Sequence, residues 1–162
     1  MATPTYTLID SVTLGSYSAG LTFSGIRQDY RDLVLVITAT SPDGAFPYLR
    51  LNSDTGSNYN NVWMVGDGLS AVSSNQVNAS SIRITNATLD ATPFTTIVQI
   101  MDYSATDKHK SVLIRSNTSG SDAETFAGAG RYASTSAISS LGIGAGGNFN
   151  AGSTFYLYGI EA

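Results

Sequence analysis

No segment of this chain keeps an apolar repeat of 3.6 residues, and that one feature removes helix-based folds from consideration. In its place, short runs rich in Val, Ile, Thr, Tyr and Phe alternate with clusters of Gly, Ser, Asn and Asp, the punctuation of sandwiches and barrels. The runs fall at 5–14, 21–25, 32–40, 48–52, 62–66, 81–85, 94–103, 110–116, 124–133, 137–145 and 153–162, which predicts about eleven strands. The stretch "GLSAVSSNQV" (68–77) reads as a loop, with room for one short helical turn. At 162 residues the chain predicts a single domain, 1–162, able to bury about two-thirds of its unfolded surface. Many strands with no helix and no internal repeat predict an all-β fold, a jelly-roll-like antiparallel β-sandwich. An immunoglobulin-like or other Greek-key sandwich is the alternative, though the former normally has fewer strands.

The strands differ in patterning. "SIRIT" (81–85) alternates, with Ile82 and Ile84 on one face and Arg83 on the other, as a half-exposed strand does. "LVLVI" (33–37) does not: Leu33, Leu35 and Ile37 form one apolar set, Val34 and Val36 a second. Only one face of a strand in a two-sheet sandwich meets the core. The second set is therefore covered by a loop or an extra strand, or it is a subunit interface. Period-2 alternation fixes the grouping and leaves the direction open. The last strand divides in the same way, with Phe155 and Leu157 against Tyr156, Tyr158 and Ile160. Val34, Val36, Tyr156, Tyr158 and Ile160 are the interface candidates.

Composition excludes several functions. Charged residues make up 12% of the chain, about half the typical ~25%, while hydrophobic residues hold at 42%. The chain has no cysteine for disulfides or thiolate metal sites, and its net charge of −4 opposes nucleic-acid binding. No apolar run approaches the ~20 residues of a membrane helix. No leader is expected after Met1, so synthesis in a cytoplasm is expected.

The tempting motifs fail on context. "GIGAGG" matches G-x-G-x-x-G through Gly142, Gly144 and Gly147, but a strand follows where a dinucleotide site needs a helix. Those glycines are expected to permit a turn or close strand packing. "GSYSAG" (15–20) lacks the spacing of a nucleophile elbow. His109, the sole histidine, falls between two lysines in a turn. Glu124 and Glu161 are the only glutamates, and the aspartates sit mostly in turn contexts such as "SPDG" (41–44). Asn78, Asn86 and Asn117 begin Asn-x-Ser/Thr triplets that carry no meaning without a secretory route. "LRLNSDTGSNYNN" (49–61) spaces Asn52, Asp54, Gly56, Asn58 and Asn60 as a calcium loop might, yet Asp54 is its one carboxylate. It reads as a strand end, an Asx-stabilised turn and re-entry into a strand. No catalytic residue, no metal ligand set and no cofactor is expected, and the chain is expected not to be an enzyme.

"IRQDYRDLVLVITA", "LRLNSDTGSNYN" and "IVQIMDYSATDKHKSVLIRS" together resemble a pattern in structural proteins of tailed bacteriophages. The most specific part is the ending "GRYASTSAISSLGIGAGGNFNAGSTFYLYGIEA". The resemblance runs from about Leu8 to Ile160 in order, and it departs by carrying Arg131-Tyr132 where a Trp is common and by having few lysines. It implies a jelly-roll component of a phage particle and supplies no catalytic residues. The function expected is a capsid decoration (cement) protein on the capsid surface of the virion. Its partners would be the major capsid protein and copies of itself, grouped as a trimer. The alternative is a tail-fibre or receptor-binding module that recognises host glycans through aromatics such as Tyr156, Tyr158 or Trp63.

Overall fold

The computed structural model describes residues 4–44, 46–120 and 123–161; both extremes of the expected domain, and the stretch directly after Met1, lie outside them. The described residues form twelve strands: β1 (Tyr6–Thr13), β2 (Ser18–Ser24), β3 (Asp32–Ala39), β4 (Tyr48–Leu51), β5 (Tyr59–Gly66), β6 (Ala71–Ala79), β7 (Ile82–Arg83), β8 (Phe94–Met101), β9 (Lys110–Thr118), β10 (Glu124–Tyr132), β11 (Ser140–Phe149) and β12 (Thr154–Ile160). An eight-stranded sheet runs β1-β12-β3-β8-β9-β10-β5-β6, and a four-stranded sheet runs β2-β11-β4-β7. All pairings are antiparallel, giving a jelly-roll-like β-sandwich.

The core follows from alternation. β8 and β9 bury every second residue, Phe94, Thr96, Val98 and Ile100 on one strand and Lys110, Val112, Ile114 and Ser116 on the other. Leu49, Leu51, Leu141 and Ile143 of the small sheet pack against Leu33, Leu35, Ile37, Phe155 and Leu157 of the large one. This answers the question left by β3. Leu33, Leu35 and Ile37 face the core, and Val34 and Val36 face outward. Val34 is nonetheless only 8% exposed. No loop is needed to explain it, because β3 lies well inside the sheet. Val34 is walled by its own row neighbours, Tyr158 on β12 and Gln99 on β8.

The stretch 68–77, expected as a loop, is instead largely strand β6. It lies at the sheet edge with Ala71 through Asn78 all exposed, so no buried face imprinted a period on its sequence. The run 81–85 contributes only a two-residue strand, although Ile82 and Ile84 are fully buried as expected. One glycine of each motif is a packing device. Gly20 of "GSYSAG" pairs with Gly144 of "GIGAGG" across β2 and β11. A Cβ on Gly20 would meet the Ile143 carbonyl oxygen at 2.3 Å, and one on Gly144 would meet the Tyr48 ring at 2.2 Å.

Candidate functional site

The outer face of the eight-stranded sheet carries two apolar rows in register. One runs Tyr158, Val34, Gln99, Leu113, Ala129, Val62 from β12 to β5. The other runs Tyr156, Val36, Ile97, Arg115, Ala127, Met64. Each row is the expected consequence of alternation: the partner residues Leu35, Ile100, Ile114 and Phe126 point into the core. Ala127 and Ala129 are short, and taller side chains on β5 and β9 stand either side of them. The result is a groove of about 750 Å³. Its walls are open to solvent, with Met64 63%, Val62 57%, Leu113 45% and Ile97 42% exposed.

A polar border of Thr154, Thr38, Thr95, Asn117 and Thr125 closes one side of the two rows. Ser111, Arg131 and Asn60 close the other over β9, β10 and β5. An apolar centre within a polar rim is the anatomy of a protein interface. Arg115 is the one charged side chain in the two rows, and it makes no ion pair among the described residues. Contiguous exposed apolar surface of this extent is what makes this face the candidate site.

Of the expected interface residues, Val34, Val36, Tyr156 and Tyr158 lie on this face, with the two tyrosine rings stacked 6.4 Å apart. Ile160 has the same parity but is 6% exposed, held in the ladder between Tyr6 and Asp32, so it has little surface to offer a partner. Trp63 is no platform either: it is 6% exposed, stacks on Phe126 and lies under the Arg83 guanidinium. Val62, Met64, Ile97 and Leu113 were missed. Their signal was the same one that marked β3, since "VWMV", "TIVQI" and "VLI" are also apolar at both parities.

The loop after β4 is a structural clamp. Asp54 Oδ1 accepts the Gly56 N–H at 2.7 Å, and Oδ2 accepts the Asn58 amide at 2.8 Å and the Tyr132 hydroxyl at 3.0 Å. The Asn58 amide, followed by the Gly56 N–H and the Tyr132 hydroxyl, holds this carboxyl below the usual carboxylate range. Asn52, at positive φ, accepts the Ser139 N–H and donates to the Ala137 carbonyl. Tyr59 Oη accepts the Leu51 N–H at 3.1 Å, and burial pushes its hydroxyl up to about 12. The side-chain oxygens of the motif thus bond to the fold itself. His109 is exposed in the β8–β9 turn. Lys110 is fully buried, with Nζ donating to the carbonyls of Lys108 and Thr135, and burial lowers its pKa. Among the described residues, no three His, Cys, Asp or Glu side chains gather as a metal would require.

No protein-family model matches the chain, and no curated protein matches it. Solved structures do resemble it. An alginate lyase of family PL-14 from Aplysia kurodai aligns over 93% of this chain and 80% of its own, at 13% identity and a TM-score of 0.41. The alginate lyase Aly36B aligns over 91% of this chain and 78% of its own, at 12% identity and a TM-score of 0.33. A legume lectin-like domain from Entamoeba histolytica aligns over 96% and 87%, at 11% identity and a TM-score of 0.20. The expectation that this chain is not an enzyme is corrected: the solved structures that align with it include alginate lyases. At these TM-scores the likeness assigns no activity and no substrate to this chain.

Proposed function

We propose that the protein is a structural component of a bacteriophage particle, a decoration protein that grips the outside of the capsid. The observation that supports this reading most is the pair of apolar rows across the outer face of the large sheet. They offer a broad, almost uncharged surface inside a polar rim, and burying such a surface drives association. The major capsid protein is the partner under that face, and copies of the chain itself are further partners. The mechanism is burial of area, repeated by the symmetry of the shell, with a standard contact of about 1,600 Å² at each position. The low charge content of 12% suits a chain whose surface is spent on neighbours. Imaging of particles that carry a labelled copy tests the reading. Label over the capsid supports it, and label confined to the tail overturns it.

A second reading has one observation in its favour. Tyr158, Gln99 and Arg115 stand on the same groove, and a ring with a few placed polar groups is how glycans are held. On that reading the chain is a receptor-binding module of a tail fibre. Saturable binding to a host surface glycan, lost in Tyr158→Ala, supports it; no binding to any host glycan removes it.

A further inference from the structure

The two edges of the large sheet are built differently. β1 is a protected edge: its register shifts between Leu8 and Asp10, Asp10 places a charge on it, and Ile9 and Val12 anchor it to the core. β6 has none of this over most of its length. From Ala71 to Gln76 it runs in unbroken register with β5, and its irregularity comes only afterwards, at Asn78 with φ 53°. Between Gly68 and Ile82 the sequence has no charged residue and no proline. Both faces of the strand are exposed, and among the described residues no strand pairs with its outer edge. Sheet proteins normally blunt such an edge with lysine, proline, a bulge or a covering segment.

We propose that β6 is a pairing strand whose occupant is β6 of a second copy, joined antiparallel about a two-fold axis. A two-fold axis that reverses a strand stands normal to the sheet, so the outer faces of both copies stay on one side. Residues opposite each other must then share a parity, and one residue of β6 faces itself. The middle of the unbroken segment falls between Ser73 and Ser74, and the proposed register puts Ser74 on the axis. Ser73 then faces Asn75 of the partner subunit, and Val72 faces Gln76 of the partner subunit. The chain carries −4 overall, yet every side chain on this segment is neutral, so two copies meet where neither repels the other. Isologous pairing consumes the same unprotected edge on both copies and closes on itself. Head-to-tail pairing would instead have to use β1, whose bulge and charge oppose it. The product is one continuous sheet with two grooves on one side, a two-fold pair in place of the three-fold cluster that the resemblance implies. This deepens the proposed function by saying where a second copy sits.

Disulfide trapping tests it cleanly, because the chain has no cysteine of its own. Residues facing each other in an antiparallel pair have Cα atoms ~4.5–5.5 Å apart, within reach of a disulfide. Expected are a wild-type dimer in sedimentation and a covalent dimer of Ser74→Cys under mild oxidation. Ser73→Cys covers the neighbouring two-fold register, and Met64→Cys in the groove is expected to stay uncrosslinked. Ser74→Lys is expected to give a folded monomer. A wild-type monomer at high micromolar concentration overturns the proposal, as do a trimer or crosslinking at Met64→Cys but not at β6. All of this is read on the isolated chain, so failure here leaves the capsid reading to be judged on particles.

Discussion

Tyr158 stands directly beside Val34 on the outer face of the large sheet, as its cross-strand partner between β12 and β3. That pairing explains how a strand can be apolar on both faces and still need no covering loop. It also separates two kinds of apolar residue on β3. Leu35→Lys places a charge where the side chain is fully buried, and a cost on the order of 3–5 kcal/mol is expected. Val36→Lys is expected to cost roughly 1 kcal/mol, since its stem can lie along the groove with the ammonium in water. Thermal melts of the two variants check this. Equal destabilisation would mean that the outer row is as closed as the core.

Asp54→Ala removes the carboxylate that accepts the hydroxyl of Tyr132, a residue 3% exposed, together with its bonds from the Gly56 N–H and the Asn58 amide. A loss of about 1–3 kcal/mol is expected in a urea titration. A chelator is expected to leave the melting temperature unchanged, because the Asp54 oxygens already accept from the protein's own donors. A melting temperature that falls with chelator and recovers with calcium would overturn the clamp reading.

The alkaline limit of stability is set in part by Tyr59. Its folded hydroxyl titrates at about 12 against an ordinary value of 10.0, so the folded state holds this proton longer than the unfolded chain does. The stabilisation is therefore complete below pH 10 and lost as pH rises through about 12. On the acid side, Asp43, Asp54 and Asp67 are all held below their ordinary 3.8, and their contribution is lost as pH falls through those lowered values. In a phenolate titration, Tyr59→Phe is expected to remove the last tyrosine to ionise before unfolding. An unchanged curve contradicts the assignment.

Gly20→Ala tests the close approach of β2 and β11. Its Cβ would press on the Ile143 carbonyl oxygen, which is backbone and cannot rotate away. A cost of about 1–3 kcal/mol is expected by denaturant titration, as for other overpacked sites. A neutral result would show that the two strands separate freely.

Much of this fold was legible because most strands have one buried face, and burial writes a period-2 pattern. The doubly apolar "LVLVI" revealed its two groupings, and only the core contacts of Leu35 gave the direction. β6 was illegible for the converse reason: no residue of Ala71–Asn78 is buried, so nothing selected an alternation. Ile160 and Trp63 show another gap. Parity places Ile160 outward and composition makes Trp63 a plausible platform, yet local neighbours cover both. The groove as a whole needed the sheet order, because its two rows collect residues from six strands that are distant in sequence.

The account rests on the outer face being a docking surface, and Leu113→Glu addresses that most directly. Leu113 is 45% exposed in the groove wall, so the substitution is expected to leave the fold intact while placing a charge in the contact. The measurement is rebinding of the purified chain to particles stripped of it. Wild type is expected to rebind to saturation, and folded Leu113→Glu to lose at least about tenfold in affinity, equal to 1.4 kcal/mol. Rebinding of Leu113→Glu with unchanged affinity would contradict the central claim.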